Sequence, residues 1–151
     1  MSIVYIGDSH HRYFQEKHVE TLQDRGDDLR VIFWSTEGFD VFRELDQLSA
    51  GGPLQILGSR HGAIPAVHWT ARNPEKVSKL FLLHPSLHLN LSGMDVPQPH
   101  FVSTMLICHS KVTRPSADDL SELAGKYFHN YTLHLTSEPV ELQSTLKLLS
   151  L

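Results

Sequence analysis

The strongest constraint on this chain is a series of short apolar runs, the central ones with no polar face, separated by amphipathic stretches. The runs are Ile3–Ile6, Leu29–Trp34, Leu54–Leu57, Leu80–Leu83, Met105–Cys108 and Tyr131–Leu135. A strand with one wet face alternates polar and apolar residues, whereas a strand without a polar face is covered on both sides. The pattern therefore predicts an α/β fold in three α/β/α layers around a mostly parallel sheet. The Tyr131–Leu135 run alternates more than the others, as an edge strand does.

The intervening stretches carry helix signals. One helix runs from about His11 to Arg25, with Phe14, His18 and Leu22 on one face and Gly26 as its stop. A second has Val41, Phe42, Leu45 and Leu48 at helical spacing and is broken by Gly51-Gly52-Pro53. A third starts directly out of Gly58-Ser59-Arg60-His61-Gly62, with Ala63, Ile64, Val67 and Ala71 as its inner stripe and Asn73-Pro74 as its stop. Ser116 caps a fourth, in which Leu120, Leu123, Ala124 and Phe128 face inward. Val140, Leu142, Leu146 and Leu149 form a closing helix. The long irregular stretch is Pro85–Phe101, where Leu87, Leu89 and Leu91 sit at period two.

Composition narrows the function classes. A chain of 151 residues without repeats or linkers is a single domain, 1–151. Lys and Arg number 13 against 17 Asp and Glu, a net charge of −4, so no nucleic-acid or anionic-membrane partner is expected. A single cysteine, Cys108, excludes a disulfide within the chain and a CxxC metal knuckle. With no transmembrane-length apolar run and no signal peptide, the expected compartment is the cytoplasm. Histidine is in excess, with 11 residues. His10, His11, His61, His84 and His109 fall at or just past strand ends, yet the spacing is not that of a metal site. No metal and no cofactor is expected. Adjacent strand residues point to opposite faces, so Cys108 and His109 do not form a dyad, and Cys108 reads as a buried small hydrophobe.

The stretch Leu57-Gly58-Ser59-Arg60-His61-Gly62-Ala63, then Ala71-Arg72-Asn73-Pro74-Glu75-Lys76-Val77, then Leu80–Leu83 resembles the α/β-hydrolase family. In that family a strand ends in a G-x-S-x-G elbow, followed by a helix and a P-E-x-V segment before the next strand. The resemblance implies a minimal, capless core lacking the family's first two strands, with about six strands in the order 2-1-3-4-5-6. The crevice at the switch point of that order lies beside Gly7–His11 and Ser59–His61.

The chain departs from the family where the chemistry is done. The central elbow position, the family's nucleophile, is Arg60, and Ser59 falls one residue early. A guanidinium stays protonated and cannot attack an acyl group. The family's acid falls near Thr113, and its general base near Ser137 or Glu138, with no carboxylate and no imidazole at the respective positions. The leading expectation is therefore a hydrolase-like protein that has lost its triad and serves as a ligand- or partner-binding accessory protein. Arg60 at a helix N-terminus suits a small anion, with Asp8, Ser9, His10, Ser59 and His61 lining the site. Alternatively, Arg60 pairs with Asp8 and binds nothing. The competing expectation is an active esterase or thioesterase, with Ser9 or Ser59 as nucleophile and His10, His61, His84 or His109 as base. Gly7-Asp8-Ser9 also resembles the opening block of GDSL-type hydrolases, but no Asp-x-x-His follows near the C-terminus. Expected partners are a small anionic ligand, a protein, or a second copy docking on the open sheet edge.

Overall fold

The computed structural model describes residues 2–9, 12–24, 28–35, 40–85, 99–109 and 117–136. They form strands β1 (Ser2–Asp8), β2 (Leu29–Trp34), β3 (Leu54–Ser59), β4 (Val77–Leu83), β5 (Thr104–His109) and β6 (Tyr131–Thr136). Between them lie helices α1 (Arg12–Asp24), α2 (Asp40–Ser49), α3 (Ala63–Arg72) and α4 (Ala117–Tyr127). The strands form one six-stranded sheet in the order β2-β1-β3-β4-β5-β6, with every pairing parallel. Both the parallel sheet and its order match expectation.

The sheet is covered on both faces, as its strands without a polar face require. One face packs Val4, Ile6, Ile56, Leu80, Leu82 and Leu106 against α2, α3 and α4. The other packs Tyr5, Leu57, Phe81, Leu83 and Ile107 around Val19 and Leu22 of α1. Burying one such side chain contributes about 2 kcal/mol, so this two-sided core supplies the main drive to fold. No helix among the described residues is long and apolar enough to cross a membrane.

Three local expectations need correction. The third helix does not start directly from the elbow, because a three-residue 3-10 turn, Arg60–Gly62, intervenes. Its buried surface is also more than a stripe. Every residue from Ala63 to Thr70 is buried, whereas Ala71 is only half-buried. The reason is that α3 is wedged between the sheet and α2, and Trp69 donates its indole N–H to Asp46 Oδ1 at 3.0 Å. The strands also extend beyond their apolar runs, β4 starting at Val77 and β5 at Thr104. Ser116, the Leu87/Leu89/Leu91 segment and the closing helix lie outside the described residues. β6 is an edge strand as expected, with Leu135 half-exposed.

Candidate functional site

The switch point lies at β1, which has β2 on one side and β3 on the other. The chain leaves β1 for α1 on one face of the sheet and β3 for α3 on the other, and such a switch point is where open α/β sheets bind their ligands. The β3 exit is an elbow. Ser59 is still extended, at φ −113° and ψ 128°, and Arg60 then swings to φ 54° as the first residue of the 3-10 turn that leads into α3. That left-handed conformation costs a non-glycine residue about 1–2 kcal/mol. The flanking glycines make the bend possible. A Cβ on Gly58 would lie 2.8 Å from the Ala63 Cα, and one on Gly62 would strike the Ile6 carbonyl oxygen. The elbow backbone is therefore intact, with a cation at its apex.

Asp8, the last residue of β1, reaches this elbow from the neighbouring strand. Its side chain is buried, and its Oδ2 accepts the backbone N–H of His61 at 3.0 Å. His61 is the residue after the apex, and in an α/β-hydrolase elbow the N–H at that position is one of the two donors that hold the substrate oxyanion. Here a carboxylate of the chain itself holds that donor. The expected Asp8–Arg60 pair does not form. Among the described residues the half-buried Arg60 guanidinium has no hydrogen bond or ion pair. Its charge is nevertheless felt by neighbours. Burial, and to a smaller extent the Arg60 charge, lowers the His18 imidazole below its ordinary range. Burial pushes the Cys108 thiol up, and Arg60 opposes the rise.

Ser59 lies against α1. It is buried, and Gln15 of α1 donates to its Oγ at 3.2 Å and to its carbonyl at 3.3 Å. The same Gln15 accepts the Asp8 N–H on Oε1 at 2.9 Å, so one amide ties β1, β3 and α1 together. Beside it the Tyr5 hydroxyl meets His18 Nδ1 at 3.2 Å. Burial raises the Tyr5 hydroxyl far above its usual range, with a smaller opposing contribution from a hydrogen bond to Ser59.

The remaining expected residues scatter. Ser9 is exposed, with its N–H on the Trp34 carbonyl at 3.2 Å, and no histidine is bonded to it among the described residues. His61 is half-buried and contributes its backbone to the site. His84 follows β4 at φ 45°, and its N–H donates to the Ile107 carbonyl at 2.8 Å. His109 ends β5, but its side chain, like all of His10, lies outside what is described. The structure thus gathers Asp8, Ser59, Arg60 and His61 at one elbow and leaves Ser9 facing solvent. Among the described residues no three His, Cys, Asp or Glu side chains are placed to hold a metal ion. Sequence reasoning missed Gln15, Tyr5 and the bonding role of His18. A helix face with His18 beside Leu22 was a signal for packing only, and nothing marked Gln15.

No family model matches the sequence, and no curated protein matches it. Solved structures match over nearly the whole chain. The pyrethroid hydrolase PytH superposes with a TM-score of 0.73 at 9% identity, over 99% of this chain and 96% of that one. A structure reported with LipS and LipT, two metagenome-derived lipolytic enzymes, superposes with a TM-score of 0.70 at 10% identity, over 99% and 93%. A predicted CIB-like hydrolase from Thermoplasma acidophilum superposes with a TM-score of 0.64 at 14% identity, over 98% and 86%. At such identities the likeness is one of fold. The parallel order with its switch point at β1, the glycine-flanked elbow and these superpositions give the same result: the chain has the α/β-hydrolase fold.

Proposed function

We propose that this chain is a non-hydrolytic protein built on the α/β-hydrolase fold, a binding or accessory protein. The observation that carries this reading is the bond from His61 N–H to the Asp8 carboxylate beside an elbow whose apex is Arg60. Acyl transfer needs a nucleophile at the apex and vacant donors where negative charge develops. Here the apex carries a permanent cation, and one donor already holds a negative charge. A second oxyanion at that N–H would meet the Asp8 carboxylate at close range. The purified chain is therefore expected to give no saturable turnover of p-nitrophenyl butyrate above a heat-denatured control. Saturable turnover that disappears in Ser59→Ala or Ser9→Ala refutes the reading.

The second reading is a working esterase or thioesterase. The structural neighbours favour it, because those named above are hydrolases and lipolytic enzymes. In this chain Ser59 is the serine with buried polar company, through Gln15 and the Tyr5–His18 pair. It requires Ser59 to leave a site where only 2% of it is exposed. Under this reading Ser59→Ala and His18→Gln both abolish ester turnover while the fold survives.

A further inference from the structure

Two non-glycine residues have left-handed backbones among the described residues, Arg60 at φ 54° and His84 at φ 45°. They are neighbours in space. Ser59 of β3 pairs in register with Leu83 of β4, so the two residues that follow leave adjacent strands at the same level. Each conformation is unfavourable for a side chain of this size, and such costs concentrate where a protein binds or reacts. Arg60 carries a second cost. Its guanidinium is half-buried, and no carboxylate among the described residues pairs with it. A partly desolvated charge without a counter-charge is destabilising. The obvious candidate partner, Asp8, is spent on His61 N–H. The guanidinium acts on both His18 of α1 and Cys108 of β5, so its charge is felt at both of those elements. His84 stands on the β5 side of Arg60, bonded through its backbone to Ile107.

We infer that Arg60 and His84 together form the recognition point for an oxyanion carried by the ligand, a carboxylate or a phosphate group. This deepens the binding reading above and rests on it. The planar guanidinium offers paired N–H donors that match two oxygens of either group. The imidazole adds a donor from the neighbouring strand. The ligand supplies the negative charge that the described residues leave Arg60 without.

The test uses the full chain, with acetate and inorganic phosphate titrated separately in a buffer free of other oxyanions. Binding is followed by calorimetry and by the Arg60 Nε–H resonance. The inference predicts that at least one anion binds and shifts that resonance, and which one responds identifies the headgroup. Arg60→Gln is expected to weaken binding by roughly tenfold or more, and Arg60→Lys, which lacks the fork, to restore only part of it. His84→Gln is expected to weaken it severalfold. Unchanged affinity in Arg60→Gln, or an Arg60 resonance that neither anion moves, overturns the inference. If Arg60→Gln does not fold, the wild-type resonance decides alone. Ester turnover is a separate readout, so absent anion binding with absent turnover overturns this inference and leaves the binding reading standing.

Discussion

Replacing Arg60 by glycine should make the protein more stable and less able to bind. The apex sits at φ 54°, a conformation that costs a non-glycine residue about 1–2 kcal/mol and costs glycine almost nothing. Glycine's extra freedom in the unfolded chain returns about 0.5–1 kcal/mol of that gain. The remainder, about 0–1.5 kcal/mol, is increased by removing a half-buried guanidinium that has no ion-pair partner among the described residues. A net gain of about 1 kcal/mol in a domain of this size raises Tm by roughly 2–4 °C. Thermal unfolding followed by circular dichroism, in a buffer without phosphate or carboxylate, reads this directly. Adding phosphate should then narrow the gap, because a ligand of the native state stabilises the wild type alone. A fall in Tm of several degrees in Arg60→Gly refutes the reasoning. It would mean that the arginine is a structural element of the elbow rather than a strained residue kept for binding.

Other consequences are as direct. Gly62→Ala drives a methyl group into the Ile6 carbonyl, backbone that cannot swing aside, so a loss of about 3 kcal/mol or complete failure to fold is expected in urea titrations. Gln15→Ala leaves the buried Asp8 N–H without its amide acceptor and Ser59 without its amide donor, and should cost about 2–3 kcal/mol; a change within experimental error would mean that water or a neighbour replaces the amide. His100 packs against Phe128 and accepts the Val102 N–H on Nδ1, and burial, with the nearby His129, holds its pKa down at about 4. As pH falls below about 6.5 the unfolded chain takes up this proton before the native one does, so His100 lowers stability progressively between there and pH about 4. The urea midpoint should drop from pH 7 to pH 5, and less in His100→Asn; equal slopes contradict the assignment.

The sequence made the sheet legible because burial on both faces removes the polar residues that a one-sided strand must carry. Strand order followed from the resemblance to the α/β-hydrolases that the Gly58–Gly62 elbow carries, and in the structure both glycines answer to backbone contacts that no side chain permits. The Arg60 apex was legible from the same motif, whose central position it occupies. What sequence could not show depends on which groups meet across the fold. Asp8 and His61 are 53 positions apart, and Gln15 and Ser59 are 44 apart, with no periodicity linking either pair. An Asp8–Arg60 ion pair and an Asp8–His61 backbone bond are equally compatible with the letters, and the structure has the second. Burial of α3 on nearly every side was likewise hidden, because it follows from how α2 packs rather than from the helix's own stripe.

Intact-protein mass spectrometry after exposure to an excess of a fluorophosphonate tests the central claim most directly, because the reagent reports an activated serine whatever the natural substrate. An elbow with Arg60 at its apex and the Asp8 carboxylate on its donor predicts a chain that keeps its unmodified mass. A stoichiometric single adduct mapped to Ser59 or Ser9 contradicts it.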